Sequence, residues 1–352
     1  MNEIVNFIKN NPNWEELLAA EPYCLSIQRD GDYILFKYNQ IHSDFSSPVV
    51  QEARGIIFHE PTWECVCRPF RKFFNYGEAN AAEINWSKAV VSEKIDGSLI
   101  KLWMHNGEMH ISTNGTIDAG KAQVSGFDNM SFKDLFFKAL AVQYIMITPG
   151  FTYLYELVSP YNRVVIPYED IDIYQLAIID NITGEEYELD ANIKKPKEFQ
   201  LSSFDEVLRA AQALDWKNEG FVVFDGINRV KVKSPAYVLA HYARNNNVMT
   251  TERLLDVILM GEEEEFLTYA DEYQKRIEAI VEKKREYDEG VRKMLNDLSQ
   301  LLPCGRKQFA GQVMQYPSNY RPIAFIFYDH SDLTYEDIVK DWNAKKWERM
   351  LF

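Results

Sequence analysis

The sequence predicts an α+β protein with mostly antiparallel sheets and flanking helices, followed by a smaller all-α region. Three observations predict it. Between Tyr33 and Lys233 the chain runs through short segments rich in Val, Ile, Phe and Tyr with no regular helix between them, as antiparallel sheets do. Asn106-Gly107, Asn181-Ile182-Thr183-Gly184 and Asp225-Gly226 interrupt these segments with hairpin-turn chemistry. From Asp271 to Leu298 the apolar residues Tyr273, Ile277, Ile280, Val281, Val291, Met294, Leu295 and Leu298 recur at helical spacing opposite a charged face.

Taken in order, Ile4, Val5 and Ile8 define a first helix, and Asn11 and Pro12 begin a second that runs to Ala20. Strands are expected over Tyr33–Tyr38, Gly55–Phe58, Ala89–Ser92, Leu99–Met104, Met109–Thr113, Thr152–Val158, Tyr174–Ile179 and Phe221–Phe224. Past Tyr242 the texture turns helical, with Gly290 weakening the long helix and Glu262–Glu265 read as a solvated face or loop. The expected division is a domain over 1–247 and a helical domain over 248–352, the latter of ordinary domain size.

A chain of 352 residues with 46% hydrophobic and 14% aromatic residues can bury a proper core, which excludes a disordered class. It holds no run of about 18 apolar residues, so no transmembrane span is expected. Met1-Asn2-Glu3-Ile4 lacks a basic stretch before an apolar core, so no secretory leader is expected. Cys24, Cys65, Cys67 and Cys304 are too sparse for a disulfide framework. Cys65 and Cys67 would share one strand face, but no second pair completes a zinc site, and reduced thiols in a cytoplasmic protein are expected. The net charge of −15 argues against a broad phosphate-binding surface, so any nucleic acid must be held by a focused groove.

The chemistry centres on Lys94-Ile95-Asp96-Gly97, where a strand ends and a hairpin opens. Asp96 shares a face with Lys94 in extended chain, and an amine held rigidly at a cleft suits covalent attack on an activated phosphate or carbonyl. Alone the tetrapeptide is better read as a surface lysine beside an Asp-Gly turn, and the other short signals decide the matter. Four further clusters accompany it. Arg54 opens an apolar strand, and Arg68-Pro69-Phe70-Arg71-Lys72-Phe73-Phe74-Asn75 interleaves cations with aromatics, which suits a polyphosphate or a solvated basic loop. Glu156 interrupts an apolar strand, either as a functional carboxylate or as the partner of a structural arginine such as Arg163. Glu219-Gly220 enters another strand, as a site carboxylate or a solvated turn. Lys231 and Lys233 point to one face of the next, as phosphate ligands or as the lysines of an exposed edge.

In this order and spacing the chain resembles the covalent nucleotidyltransferase superfamily of ATP-dependent ligases and capping enzymes. Lys94-Ile-Asp96-Gly97 resembles its nucleophile motif, Glu156 its strand carboxylate, Glu219-Gly220 its E-G motif and Lys231-Val-Lys233 its K-x-K motif. Within it, Arg54-Gly-Ile-Ile-Phe58, Lys72-Phe73-Phe74-Asn75, Ser159-Pro-Tyr-Asn162-Arg163 and Tyr237 are similar to the bacteriophage RNA ligase 1 family. The helical tail matches too, and nothing resembles the oligonucleotide-binding barrel of DNA ligases. One departure stands out. The family often carries lysines near Ser112-Thr113-Asn114-Gly115, which is neutral here, with Lys121 the nearest substitute.

The resemblance implies a nucleotidyltransferase (adenylation) domain and an ATP-dependent RNA ligase that joins 5′-phosphate and 3′-hydroxyl ends through a lysyl-AMP and an RNA-adenylate, in RNA repair. It implies Lys94 as nucleophile, with Asp96, Lys231 and Lys233 as further catalytic residues. Arg54 and Lys72 would hold the β- and γ-phosphates, Glu156 the ribose, and Lys231 and Lys233 the α-phosphate. Phe74, Gly97, Glu219 and Tyr237 would complete the nucleotide site, and Glu219 and Asp96 would take Mg²⁺, with Mn²⁺ able to substitute. The implied partners are RNA ends, tRNA among them, and an end-healing kinase/phosphatase; a cytoplasmic monomer is expected, in the host cytoplasm if the source is viral. A DNA ligase or guanylyltransferase of the same superfamily, or a catalytically silent nucleic-acid scaffold, are the alternative readings.

Overall fold

In the computed structural model the described residues are 2–124, 130–140, 145–243, 249–302 and 304–352. The chain divides into two compact units, Met1–His241 and Tyr242–Phe352. The boundary expected at 247 lies outside the described residues.

The first unit opens with α1 (Glu3–Asn10) and α2 (Trp14–Ala19). Asn11 does not begin the second helix: it closes the first, its side-chain amide donating to the Phe7 carbonyl. Asn13 occupies the N-cap position of α2 instead. Strands β1 (Ser26–Asp30), β2 (Tyr33–Lys37), β3 (Arg54–His59) and β4 (Glu64–Cys67) form an antiparallel meander, with α3 (Pro48–Glu52) leading into β3. A bulge lies between the Ile57–Cys67 and Phe58–Cys65 pairs, where two steps along β4 face one along β3. It separates the two thiols: Cys65 packs with Ile34, Phe36 and Phe58, whereas Cys67 packs with Leu35, Ile57 and Trp103. The shared face expected for them is therefore absent.

The chain continues through β5 (Phe74–Asn75), β6 (Val90–Lys94), β7 (Ser98–His105), β8 (Glu108–Thr113), β9 (Phe151–Val158), β10 (Asp172–Asp180), β11 (Glu186–Tyr187), β12 (Glu198–Phe199), β13 (Gly220–Phe224) and β14 (Arg229–Lys233). These form two five-stranded sheets, ordered β11-β10-β9-β7-β8 and β12-β6-β13-β14-β5, antiparallel except where β14 meets β5. Asn106 and Gly107 both take positive φ, 52° and 79°, as a two-residue turn matched to strand twist requires. Helices α4 (Phe132–Leu140) and α5 (Phe204–Gln212) lie among these strands, α4 burying Leu135, Phe136 and Ala139 against the β7–β9 sheet. After β14 comes α6 (Pro235–Ala243). Because β14 lies between β13 and β5, the edge-strand reading of Lys231 and Lys233 does not hold.

Among the described residues the second unit carries the α-helices α7 (Thr251–Met260), α8 (Glu263–Tyr269), α9 (Gln274–Ser299), α10 (Arg306–Val313), α11 (Arg321–Asp329), α12 (Tyr335–Val339) and α13 (Ala344–Leu351), joined by turns and short loops. The acidic run at 262–265 starts α8, where carboxylates complement the helix dipole, and Glu262 accepts a hydrogen bond of 2.7 Å from the Tyr242 hydroxyl. In α9 the stripe Ile277, Ile280, Val291, Met294, Leu295 and Leu298 is buried, while Val281 is exposed. Gly290 does not break the helix. Tyr320 packs over it, where an added Cβ would stand 2.3 Å from the hydroxyl. Among the described residues no helix is long and apolar enough to cross a membrane.

Candidate active site

The registers of three strands assemble the site. Lys94 on β6, Gly220 on β13 and Lys233 on β14 stand opposite one another in one row across the sheet. Glu219, buried just before Gly220, extends its carboxylate between the lysines: Oε1 is 2.6 Å from Lys94 Nζ and 3.8 Å from Lys233 Nζ. Gly220 has φ of 141°, and an added Cβ would lie 2.1 Å from the Val232 carbonyl oxygen. Only glycine fits there.

A cavity of about 650 Å³ opens over this row. Its lining includes Lys94, Gly97, Glu156, Lys231 and Lys233, together with Arg54 and Lys72 from the elements before β6. Glu156 arrives from the second sheet, where it pairs in register with Leu99, and the turn at Gly97 packs so closely on β9 that a Cβ would meet the Leu157 carbonyl at 2.5 Å. Arg54 lies over the Phe73 ring at 4.9 Å, and its buried Nη1 has no hydrogen-bond partner among the described residues. Burial holds that guanidinium below its usual pKa range. Lys72 sits among the rings of Tyr38, Phe45 and Phe74, at 5.3, 4.7 and 5.5 Å, and reaches Gln40 Oε1 at 3.4 Å. Phe74 thus supports Lys72, and it is Phe73 that faces the cavity.

Four residues expected in the pocket stand outside its lining: Phe74 and Glu219, described above, and Asp96 and Tyr237. The Asp96 carboxylate accepts hydrogen bonds from the Val165 and Ile166 amides at 3.0 and 2.7 Å and from the Tyr237 hydroxyl at 2.8 Å. Asp96 is 4% exposed, so its oxygens are spent on fixing the turn behind Lys94 and are not presented to a metal. Tyr237, from α6, ties the segment after β14 to that same turn, and its ring lies 5.9 Å from Lys233 Nζ. Arg163 does not partner Glu156; its Nε donates to the Val165 carbonyl. Lys121 pairs with Asp30 at 2.6 Å on the surface, so it does not replace the missing lysines.

Sequence reasoning missed Arg229, although it stands two and four residues before Lys231 and Lys233 and so shares their strand face. It makes a two-pronged pair with Glu186, 2.8 Å at each prong, between the Phe70 and Phe224 rings. Asn114 was also missed: it lines the cavity with a buried Oδ1 that has no partner among the described residues.

The half-buried Glu156 makes no ion pair or hydrogen bond among the described residues, and burial, opposed by Lys94 and reinforced by Glu219, pushes its pKa up to about 8. In the unfolded chain it ionises near the ordinary value of about 4.3. Its cost to folding is therefore absent below that pH, grows as pH rises towards 8 and is constant above. Glu156→Gln should raise the melting temperature most at pH 8 and above, and least near pH 4. An equal gain at every pH would exclude the carboxyl as its source.

This arrangement sets one lysine, backed by a carboxylate, among six further cations around a cavity (Arg54, Lys72, Lys195, Arg229, Lys231 and Lys233), which suits attack by an amine on a polyphosphate. The family model described as RNA ligase matches residues 52–237. A protein of Autographa californica nuclear polyhedrosis virus described as "Putative bifunctional polynucleotide kinase/RNA ligase" is 30% identical over 73% of this chain and 40% of its own length. RNA ligase 1 of bacteriophage TS2126 is 28% identical over 64% of this chain and 61% of its own. The chain thus spans less than two thirds of either relative. An archaeal ATP-dependent RNA ligase superposes with a TM-score of 0.45 at 13% identity, over 78% of this chain and 77% of that one.

Proposed function

Because the chain belongs to the RNA ligase family, we propose that it is an ATP-dependent RNA ligase that works through a lysyl-AMP. The observation that carries this reading is the row Lys94–Gly220–Lys233 with Glu219 between the lysines, at the mouth of a cavity that also holds Arg54 and Lys72.

In the first step Lys94 Nζ attacks the α-phosphorus of ATP; the N–P bond forms as the bond to the bridging oxygen breaks and pyrophosphate leaves. An ammonium cannot attack, so Lys94 must first shed a proton and leave its ion pair with Glu219. Glu219 fits a hard divalent cation by its chemistry, and it would share that ion with the phosphates, since no three His, Cys, Asp or Glu among the described residues converge to hold one alone. A bound Mg²⁺ or Mn²⁺ supplies charge neutralisation on the transferred phosphate. Lys231 and Lys233 hold the α-phosphate and Arg54 and Lys72 the outgoing pyrophosphate, leaving Glu156 for the ribose. An RNA 5′-phosphate then takes the AMP from Lys94, and a 3′-hydroxyl displaces AMP to seal the strand. The helical unit tunes which RNA is sealed; the substrates are broken RNAs, tRNA among them, whose ends a kinase/phosphatase has prepared in the cytoplasm.

Incubation with α-labelled ATP and a divalent metal, followed by a denaturing gel, tests the reading. Label from ATP and not from GTP, transferred to RNA and not to DNA ends, supports it. Absence of label under every metal would overturn it. Replacing Lys231 or Lys233 by alanine should slow adenylation by about one to two decades, the loss of a charge-assisted phosphate contact worth about 1.5–3 kcal/mol. Arginine should rescue poorly, because its planar fork differs in shape. Unchanged turnover in both alanine variants would remove them from the phosphate site.

A further inference from the structure

Lys101 lies on β7, and nothing in the proposed chemistry uses it. It is fully buried, a rare state for lysine without a carboxylate partner, and none of the described residues supplies one. It lies two positions along the strand from Leu99, which lines the cavity, so both occupy the same face of β7. Its register partner on β8 is Ser112, the first residue of the neutral stretch that departs from the family pattern. From there Nζ donates to the carbonyl of Gly55, the residue that follows Arg54. The Gly55 backbone in turn lies against Asn114, so the bond ties together the start of β3, the turn after β8 and the strand that follows the nucleophile.

We propose that Lys101 is a positioning residue of the nucleotide pocket: by holding the Gly55 carbonyl it fixes Arg54, and it places behind the phosphates the positive charge that 112–115 lacks. This rests on the ligase reading above, since ATP is the ligand concerned. Arg54 is the group in need of such support, because its buried Nη1 waits for an acceptor that a phosphate oxygen provides. Two cations close together in a dry site repel, and that repulsion is relieved when an anion binds.

The charged and titratable groups facing Lys101 are Arg54 from β3, Lys37 from β2, and Cys65 and Cys67 from β4. Burial pushes the two thiols up to about 12 and about 11, so both stay neutral near pH 8. Burial pulls Lys101 down to about 8, with Arg54 and Lys37 acting in the same direction. Its charge, and with it the strength of the Gly55 bond, fades as pH rises through that value.

The test measures ATP affinity by calorimetry in a Lys94→Ala background, where binding is not followed by transfer, with melting temperature as control. Lys101→Met should weaken binding about tenfold, the scale of one lost charge-assisted contact. Lys101→Gln, which keeps a donor and loses the charge, should fall between. Affinity of the background protein should decline above pH 8, and Lys101→Met should flatten that decline to the share that Glu156 contributes. A folded Lys101→Met with unaltered affinity and pH profile would overturn the proposal. If the methionine variant does not fold, unaltered affinity in Lys101→Gln does the same, and loss of fold in both assigns Lys101 to the core and also overturns it. Failure of the ligase reading is a separate outcome: the unaltered chain would neither bind ATP nor take label.

Discussion

Replacing Lys94 by alanine should abolish the AMP adduct altogether, the largest effect expected of any single change in this protein. The amine is the atom that bonds to phosphorus, and no neighbour can substitute for it without moving: Lys233 stands two strands away and Lys231 is a further pair along its strand. Lys94→Arg separates nucleophilicity from charge. Its guanidinium keeps a cation beside Glu219, 2.6 Å from the native ammonium, yet stays protonated at any working pH and cannot attack. Both variants should therefore lose all label from α-labelled ATP, while the arginine variant keeps the melting temperature closer to native. A Lys94→Ala protein that still accepts label in an acid-labile bond would place the nucleophile elsewhere and remove the basis of the mechanism.

The parts of this site that were legible in the sequence are those in which one residue type has one backbone use. Asn106-Gly107 announced its hairpin because both positions need positive φ, and the β-branched and aromatic runs announced their strands because those side chains suit a pleated surface. Alternation also put Lys231 and Lys233 on one face, and it would have added Arg229 had the rule been extended by one more step. Other features depended on geometry that the alternation rule does not carry. The bulge in β4 sent Cys65 and Cys67 to different cores, because a single inserted residue reverses the facing of all that follow. Asp96 sits two residues from Lys94 and was assigned to its face, but the turn between them rotates its carboxylate onto the Val165 and Ile166 amides. Lys101 was silent for another reason. A lysine within an apolar strand normally marks a solvated face, and only the packing of β7 on the first sheet closes that face over.

Gly220→Ala should be the most damaging substitution among residues that take no part in bonding. Two independent penalties fall on it. A φ of 141° lies where an L side chain is strained, and the Cβ itself would stand 2.1 Å from the Val232 oxygen and 2.7 Å from Lys233 Cα. Those atoms are backbone, so no rotamer change relieves the clash, and β13 and β14 must separate at their shared end. Separation costs the adjoining hydrogen bond of 2.8 Å from the Ser234 amide to the Glu219 carbonyl and strains the neighbouring pairing of Gly220 with Lys94. We expect a loss of about 3 kcal/mol or more in urea unfolding, in the range reserved for backbone clashes of this kind. Adenylation should fall even in molecules that stay folded, since Glu219 is the adjoining residue and its reach to both lysines depends on this row. The two effects can be read apart by measuring label at a temperature well below the variant's melting point. Glu219→Gln serves as the comparison, because it removes the carboxylate charge and leaves the backbone alone. Native stability together with native labelling in Gly220→Ala would mean that the strands can part without cost, and the tight row of Lys94, Gly220 and Lys233 would then not be what aligns the nucleophile.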